Sequence, residues 1–531
     1  MIRRSRHPAP ASTRRAGTTV SLLAVAATVV AGCVPVTPGA DPRFADSDVD
    51  PQGAVTSSEA PPEPPELVAP GQDLTWRDCT TGVFDDAGVS PAAGLTLECA
   101  TFDADLDPLN GSSAKITVGA VRARSEQTPD DAAPVVLTTG TDVPSSHQLA
   151  VWTSRSGADL VDERPVVAVD RRGIGMSTAA VCRDSFDRRE MADQAQFEPG
   201  DDQVANLNKI AITAANNCTD AVPQGGIAYD NAHAAEDLEL LRSRWDVPAL
   251  ALLGIGNGAQ VALAYAASHP NKVARLVLDS PVTLGVAAEA AAEQRVVGQQ
   301  AALDAFAAQC VALNCALGPD PKGAIDALLA DARAGRGPGG ASVAAVVHAI
   351  TTALAYPRAD PAESTQGLAD ALAAARGGDA GPLKALIERS ESLRSTDGQY
   401  ISVCSDALNR PTPNRVRELV VAWGKQYPQF GAVAALDMVP CLAWPSSSPV
   451  DPPEELDPDV LLLGVQKSDP IVGAGVAATA ATVLNAGSAS KRVMWQGVGH
   501  GAAVYSPCAV PPVIAYLASG ALPDSDTFCP A

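Results

Sequence analysis

Leu250-Ala251-Leu252-Leu253-Gly254-Ile255-Gly256-Asn257-Gly258, followed by Ala259-Gln260-Val261-Ala262-Leu263-Ala264-Tyr265-Ala266-Ala267-Ser268, is the stretch from which the fold is read. The apolar run 250–253 does not alternate, so it predicts a strand buried on both faces; the closely spaced glycines predict a tight turn. The alanine-rich run 259–268 predicts a helix that stops at His269-Pro270. The same unit recurs along the chain. Short apolar runs at 134–138, 165–169, 275–278, 460–465 and 492–495 end in turn residues, and helical spacing occupies segments such as 234–245. Strand and helix in alternation predict an α/β fold with a mostly parallel sheet.

Between 282 and about 400 the rhythm changes to alanine-rich helical segments (284–308, 323–333, 343–356, 365–375), broken by a flexible glycine loop at 335–340. An insertion of this kind between sheet strands predicts a helical cap over the carboxyl edge of the sheet, where ligands bind in such folds. The expected division is a leader at 1–32, a linker at 33–72, a first core segment at 73–281, the cap and its connection at 282–450, and a final core segment at 451–531.

The first 32 residues hold Arg3, Arg4, Arg6, Arg14 and Arg15, no acid, and an apolar stretch ending Val30-Ala31-Gly32-Cys33. This pattern predicts a secretory signal peptide, and its end resembles a bacterial lipobox in which Cys33 is lipidated and becomes the first residue. Residues 34–72 are rich in Pro, Asp, Glu and Ser, a solvated spacer between membrane and folded domain. The expected location is therefore the cell envelope, with the protein lipid-anchored to the outer face of the cytoplasmic membrane. The chain carries a formal net charge of -23, and loss of the leader makes it more acidic, which excludes nucleic acid as a partner and leaves acyl chains on Cys33 as the membrane attachment.

Setting Cys33 aside, the ten cysteines Cys79, Cys99, Cys182, Cys218, Cys310, Cys315, Cys404, Cys441, Cys508 and Cys529 are an even set, as expected of disulfides in an oxidising compartment. Joining sequence neighbours gives five short loops, one of many connectivities that ten cysteines allow. No Cys-x-x-Cys or His-Glu-x-x-His occurs, and the six histidines are scattered, so neither a metal site nor a cofactor is expected.

Strand, glycine turn and helix at 250–268 have the shape of the nucleophile elbow Gly-x-Ser-x-Gly of the α/β-hydrolase fold. Asp469 follows the run 460–465, and His500, in Gly499-His500-Gly501, follows 492–495; nucleophile position, acid, then histidine is the chain order of that fold. Further motifs are Trp76 with Cys79, Asp170-Arg171-Arg172-Gly173-Ile174-Gly175-Met176-Ser177, Arg275-Leu276-Val277-Leu278-Asp279 and Asp469-Pro470. Tyr516-Leu517, Gly520 and Leu522-Pro523 precede Cys529. In their order and spacing these motifs resemble the secreted tripeptidyl and prolyl aminopeptidase branch of the α/β-hydrolases of high-GC Gram-positive bacteria, with its TAP-like carboxyl-terminal region. The resemblance runs from about Trp76 to Cys529 and is weakest across the cap. It implies a peptidase ancestry and a triad of which Asp469 and His500 are members.

Two departures touch that mechanism. The position of the family's catalytic serine holds Gly256, which has no side chain to attack a carbonyl. The family's Gly-Gly-Pro-Gly loop, which helps form the oxyanion hole, corresponds to Thr139-Gly140-Thr141-Asp142, so that these four residues and Asn257 make a degenerate oxyanion region in which Asp142 would repel developing negative charge. In a serine hydrolase the loss of the nucleophile alone costs roughly 10⁶ in turnover, and the residual ~10³ to 10⁴ comes from the oxyanion hole and binding. Ser145 and Ser146 beside His147, and Ser177 and Ser280 near the sheet edge, are read as turn or cap residues, because a working serine needs a histidine and an oxyanion site within reach. His233, His269 and His348 are read as structural or surface residues. The expected function is a pseudo-hydrolase that binds a peptide or other envelope ligand beneath the cap. The alternatives are an active hydrolase with an unusual nucleophile or a water-based mechanism, and an interaction partner of an active relative or envelope complex.

Overall fold

The computed structural model describes residues 65–112, 114–221, 228–445 and 449–531; the expected leader, Cys33 and most of the linker lie outside them. Ten strands form one sheet: β1 (Arg77–Asp78), β2 (Leu95–Asp105), β3 (Lys115–Ser125), β4 (Val135–Thr138), β5 (Val166–Val169), β6 (Leu250–Ile255), β7 (Val273–Asp279), β8 (Val460–Val465), β9 (Ser490–Trp495) and β10 (Thr527–Cys529), in the spatial order 1-2-3-5-4-6-7-8-9-10. Pairing is antiparallel from β1 to β5 and parallel from there to β10. The α/β reading holds.

Successive residues of the parallel strands enter opposite cores. Leu250 and Leu252 of β6, Leu276 and Leu278 of β7, and Val460 and Leu462 of β8 join one hydrophobic cluster. Ala251, Leu253, Val277, Leu461 and Leu463 join the other. Helices cover both faces, which is why these strands read as unbroken apolar runs. β2 and β3 escape that criterion: in β2 buried Leu95 and Leu97 face one core and buried Phe102 and Ala104 the other, alternating with exposed Thr96, Thr101 and Asp103, so that each half of the strand has one wet face.

The elbow sits at the carboxyl end of β6, beside β4, where Thr138 pairs with Gly254. The helix Gly258–Ser268 starts so close to β4 that a Cβ on Gly258 would overlap the carbonyl oxygen of Thr138. Glycine is required there by the approach of two backbones.

Between β7 and β8 the helices Ala288–Ala312, Pro321–Arg333, Val343–Ala355, Pro361–Arg376, Gly381–Arg394 and Pro413–Gln426 enclose a third cluster that includes Val296, Leu303, Phe306, Leu328, Val347 and Trp423. Three of them open on an acceptor followed by proline: Asp320, Asp360 and Thr412 each bond a first-turn N–H, and the next residue supplies a preset φ. The helix Asp397–Asp406 leaves this cluster and packs Tyr400, Ile401 and Cys404 onto the sheet's own core. The glycine loop at 335–340 folds in part as a short 3-10 turn, Pro338–Gly340.

One expectation changes. Residues 65–72, assigned to the linker, belong to the folded unit: Leu67 packs on one core, Leu74 just beyond packs on the other, and the Gly71 N–H donates to the Trp245 carbonyl at 2.9 Å. The cysteines pair with their sequence neighbours, Cys79–Cys99, Cys182–Cys218, Cys310–Cys315, Cys404–Cys441 and Cys508–Cys529, the one connectivity of the many that joins the shortest loops.

Candidate functional site

The carboxyl ends of β4, β6, β8 and β9 bring Asp142, Gly256, Asp469 and His500 together. Gly256 turns the chain sharply, with φ +59°, and donates its N–H to the Asp279 carbonyl at 2.9 Å. The Asp279 carboxylate accepts the N–H groups of Ala502 and Ala503 at 2.7 and 2.8 Å, fixing the loop that carries His500. Asp469 is held in turn by the N–H groups of Ile471 and Val472 at 2.9 and 3.1 Å. His500 Nδ1 lies 3.0 Å from Asp469 Oδ2, the orienting contact of a triad. On its other side the edge-on ring of Tyr356 from the cap stands with centroids 5.7 Å apart.

Asp142 decides what this arrangement can do. A Cβ built on Gly256 would overlap Asp142 Oδ2 and stand 2.5 Å from His500 Nε2, so the carboxylate occupies the space that a nucleophile side chain at 256 would need. Oδ2 accepts the Asn257 backbone N–H at 2.7 Å, and Oδ1 accepts the Asn257 side-chain amide at 2.5 Å. The N–H after the nucleophile position is an oxyanion-hole donor in this fold, and here it is taken. The Gly140 N–H turns back to Thr138 Oγ1 at 3.3 Å. Thus Asp142 not only repels an oxyanion, as its charge predicts; it fills the place where one would form.

His500 Nε2 lies 3.3 Å from Asp142 Oδ2, off the line of a good hydrogen bond, and the contact is an ion pair. Burial alone would lower the imidazole pKa, but Asp469 and Asp142, themselves at most 5% exposed, outweigh it and raise the value to about 10. At neutral pH the ring is an imidazolium between two carboxylates. It has no lone pair with which to take a proton from a hydroxyl or a water.

The other candidate side chains are engaged elsewhere. Ser145 Oγ accepts the Thr139 N–H at 3.1 Å, Ser146 donates to Asp170 Oδ2 at 2.8 Å, Ser177 donates to the Asp170 carbonyl at 2.7 Å, and Ser280 accepts the Gly501 N–H at 3.2 Å. His147 is buried with no partner for Nε2 among the described residues, and burial, helped by Arg389 and Arg358, pushes its pKa down to about 3. His233 bridges Asp230 and Asp107, and His269 pairs with Glu236.

Above Asp142 and Asn257, beneath the cap, lies a cavity of about 220 Å³. Its wall includes Arg295, Arg394 and His348, none of which the sequence reading placed at the site. Their only signal was a basic side chain within a cap helix.

A model described as alpha/beta hydrolase fold matches residues 141–320, and one described as TAP-like protein matches 427–529. The chain has the α/β-hydrolase fold, and its carboxyl-terminal region is similar to TAP-like proteins. The first match spans the elbow with Gly256, and the second carries Asp469 and His500. Serine protease Hip1 of Mycobacterium tuberculosis and of Mycobacterium bovis is 24% identical to it over 260 residues, which are 48% of this chain and 49% of the relative. The chain thus spans about half the length of the curated relatives it matches. Similar solved structures include the esterase RhEst1 from Rhodococcus sp. ECU1013 (17% identity, TM-score 0.35, covering 76% of this chain and 96% of that one). Another is 2-hydroxy-6-oxo-6-phenylhexa-2,4-dienoate hydrolase from Rhodococcus sp. strain RHA1 (14% identity, TM-score 0.33, covering 79% and 98%).

Proposed function

We propose that this protein is a lipid-anchored envelope pseudo-hydrolase that binds a peptide or other small ligand beneath its cap without serine-type turnover. One observation carries the reading: the Asp142 carboxylate stands in the space above Gly256, on the Asn257 N–H and against His500. Gly256 supplies no nucleophile, and the one side chain of Asp142 takes the oxyanion donor and the general base. The likeness to Hip1, a serine protease by name, supports the ancestry.

The purified protein should not react with a serine-directed fluorophosphonate and should not turn over tripeptide substrates. Stoichiometric labelling, or hydrolysis abolished by mutation of a serine, would overturn the reading. The anchoring half is tested on protein extracted from membranes, whose first residue should be an acylated Cys33 by mass spectrometry; an unmodified or different terminus would remove it.

A second reading has one observation in its favour, since a carboxylate is itself a nucleophile. Attack of Asp142 Oδ2 on a saturated substrate carbon would form an ester as the bond from that carbon to its leaving group breaks; His500 would give its proton to the leaving group and, now neutral, take one from the hydrolytic water that cleaves the ester. Intact-mass spectra quenched during turnover would then carry an ester on the peptide containing Asp142. Against it, Asn257 already holds both carboxylate oxygens.

A further inference from the structure

The wall of the cap cavity is positive in a chain whose formal net charge is -23. Four arginines line it, and they fall into two pairs. Arg183 bonds Asp397 Oδ1 at 2.8 Å and lies 4.8 Å over the Tyr400 ring, while Arg188, 3.6 Å from the same carboxylate, reaches solvent. Asp397 thereby balances part of that charge.

Arg295 and Arg394 have no such partner. Arg295 donates Nε to the Ile471 carbonyl at 3.1 Å and has no carboxylate within 4 Å among the described residues. Arg394, the last residue of the helix Gly381–Arg394, makes no hydrogen bond or ion pair among the described residues, and its Nε is buried. Burial lowers the Arg295 pKa; Asp437 opposes the shift, and Arg394 adds to it. The Asp437 carboxylate that also faces the cavity is taken by His348 at 3.0 Å and Gln194 at 2.7 Å. Asp142, on the floor, is paired with His500. Two half-buried guanidinium groups facing one cavity with no carboxylate in contact are costly unless an anion completes the site.

We infer that the cavity takes a small ligand by an oxyanion, carboxylate or phosphate, gripped between Arg295 and Arg394. The inference rests on the ligand-binding reading above and adds the chemistry of the ligand. Guanidinium forks match both oxyanions bidentately. A volume of about 220 Å³ accepts a small molecule or the end of a short peptide.

The test uses the full-length protein, thermal melts and calorimetric titration with four probes: inorganic phosphate, succinate, trialanine as the free acid, and trialanine carboxamide. At least one oxyanion probe should bind saturably and raise the melting temperature, and the free acid should bind more tightly than the amide. A response to phosphate alone assigns a phosphate ligand, and a response to succinate or the free acid alone assigns a carboxylate. Arg394→Gln should weaken binding by at least about tenfold, with Arg394→Lys in between. Arg295→Gln repeats the measurement should the first variant melt abnormally. Saturable binding of the amide as tight as that of the free acid, no binding of any oxyanion, or unchanged affinity in both glutamine variants overturns the inference. These outcomes leave the absence of serine catalysis untouched, and that reading falls on its own if either tripeptide is hydrolysed.

Discussion

Gly256→Ser alone will leave the protein unreactive toward a fluorophosphonate, whereas Gly256→Ser combined with Asp142→Gly will label, at least about a hundredfold faster than the single variant. The added Cβ meets Asp142 Oδ2, and that oxygen cannot simply swing aside, because the Asn257 N–H and His500 hold it. The single variant should therefore also melt earlier, through overlap and through a side chain at φ +59°. Removing the Asp142 carboxylate makes room for the hydroxyl, frees the Asn257 N–H for an oxyanion, and leaves His500 with Asp469 as its one close acid. One oxyanion donor is worth about 10² to 10³ and a working base about 10² to 10⁴, so the gain is large even with imperfect geometry. Equal labelling rates in the single and double variants would show that the carboxylate leaves the site freely.

The second large effect lies in alkaline solution. His500 has an ordinary pKa of 6.5 and a folded value raised to about 10, so between those values the folded state holds a proton that the unfolded chain has lost. Stability is full below about pH 6.5 and falls as pH rises toward 10. His233 and His269 are also raised, His233 by its bonds to Asp230 and Asp107 against the effect of burial, and His269 by its bond to Glu236, so they add to the fall. Asp279 and Asp406, pushed up to about 6 by burial, are ionised over most of this window. In Asp142→Asn one of the two anions beside the ring is gone, and each unit by which the His500 pKa drops removes about 1.4 kcal/mol from the alkaline fall. Urea midpoints from pH 6 to 10, with the His500 ring resonance as a direct titration, give the comparison. Parallel curves for the two proteins would show that Asp142 does not govern the charge on His500.

Much of this site was legible in the chain itself. The buried strand, the glycine turn and the positions of Asp469 and His500 follow from local pattern and order, because parallel strands and elbows impose strong local constraints. Gly256 and Asp142 were also visible, as two separate losses. Their relation was not: it depends on β4 lying beside β6 with Thr138 opposite Gly254, a pairing that spans the sheet rather than the sequence. In space the two changes are one exchange, an anion moving into the room that a missing side chain left. Arg295 and Arg394 were illegible for a different reason. The helices that carry them are polar and apolar in ways that fix an amphipathic face but not the neighbour it meets, and the cavity exists only once those helices pack. The hairpin β2–β3 was overlooked because one face is wet, which breaks the apolar run on which strand recognition relied.

The backbone N–H of His500 donates to the carbonyl of Ala355, at the end of the cap helix Val343–Ala355, at 3.0 Å. None of the five disulfides ties that helix to the loop of residue 500. A noncovalent latch thus joins roof and floor, and it must break whenever the roof lifts away. The exchange of that single amide with deuterated solvent therefore reports any separation of the cap helix from the histidine loop.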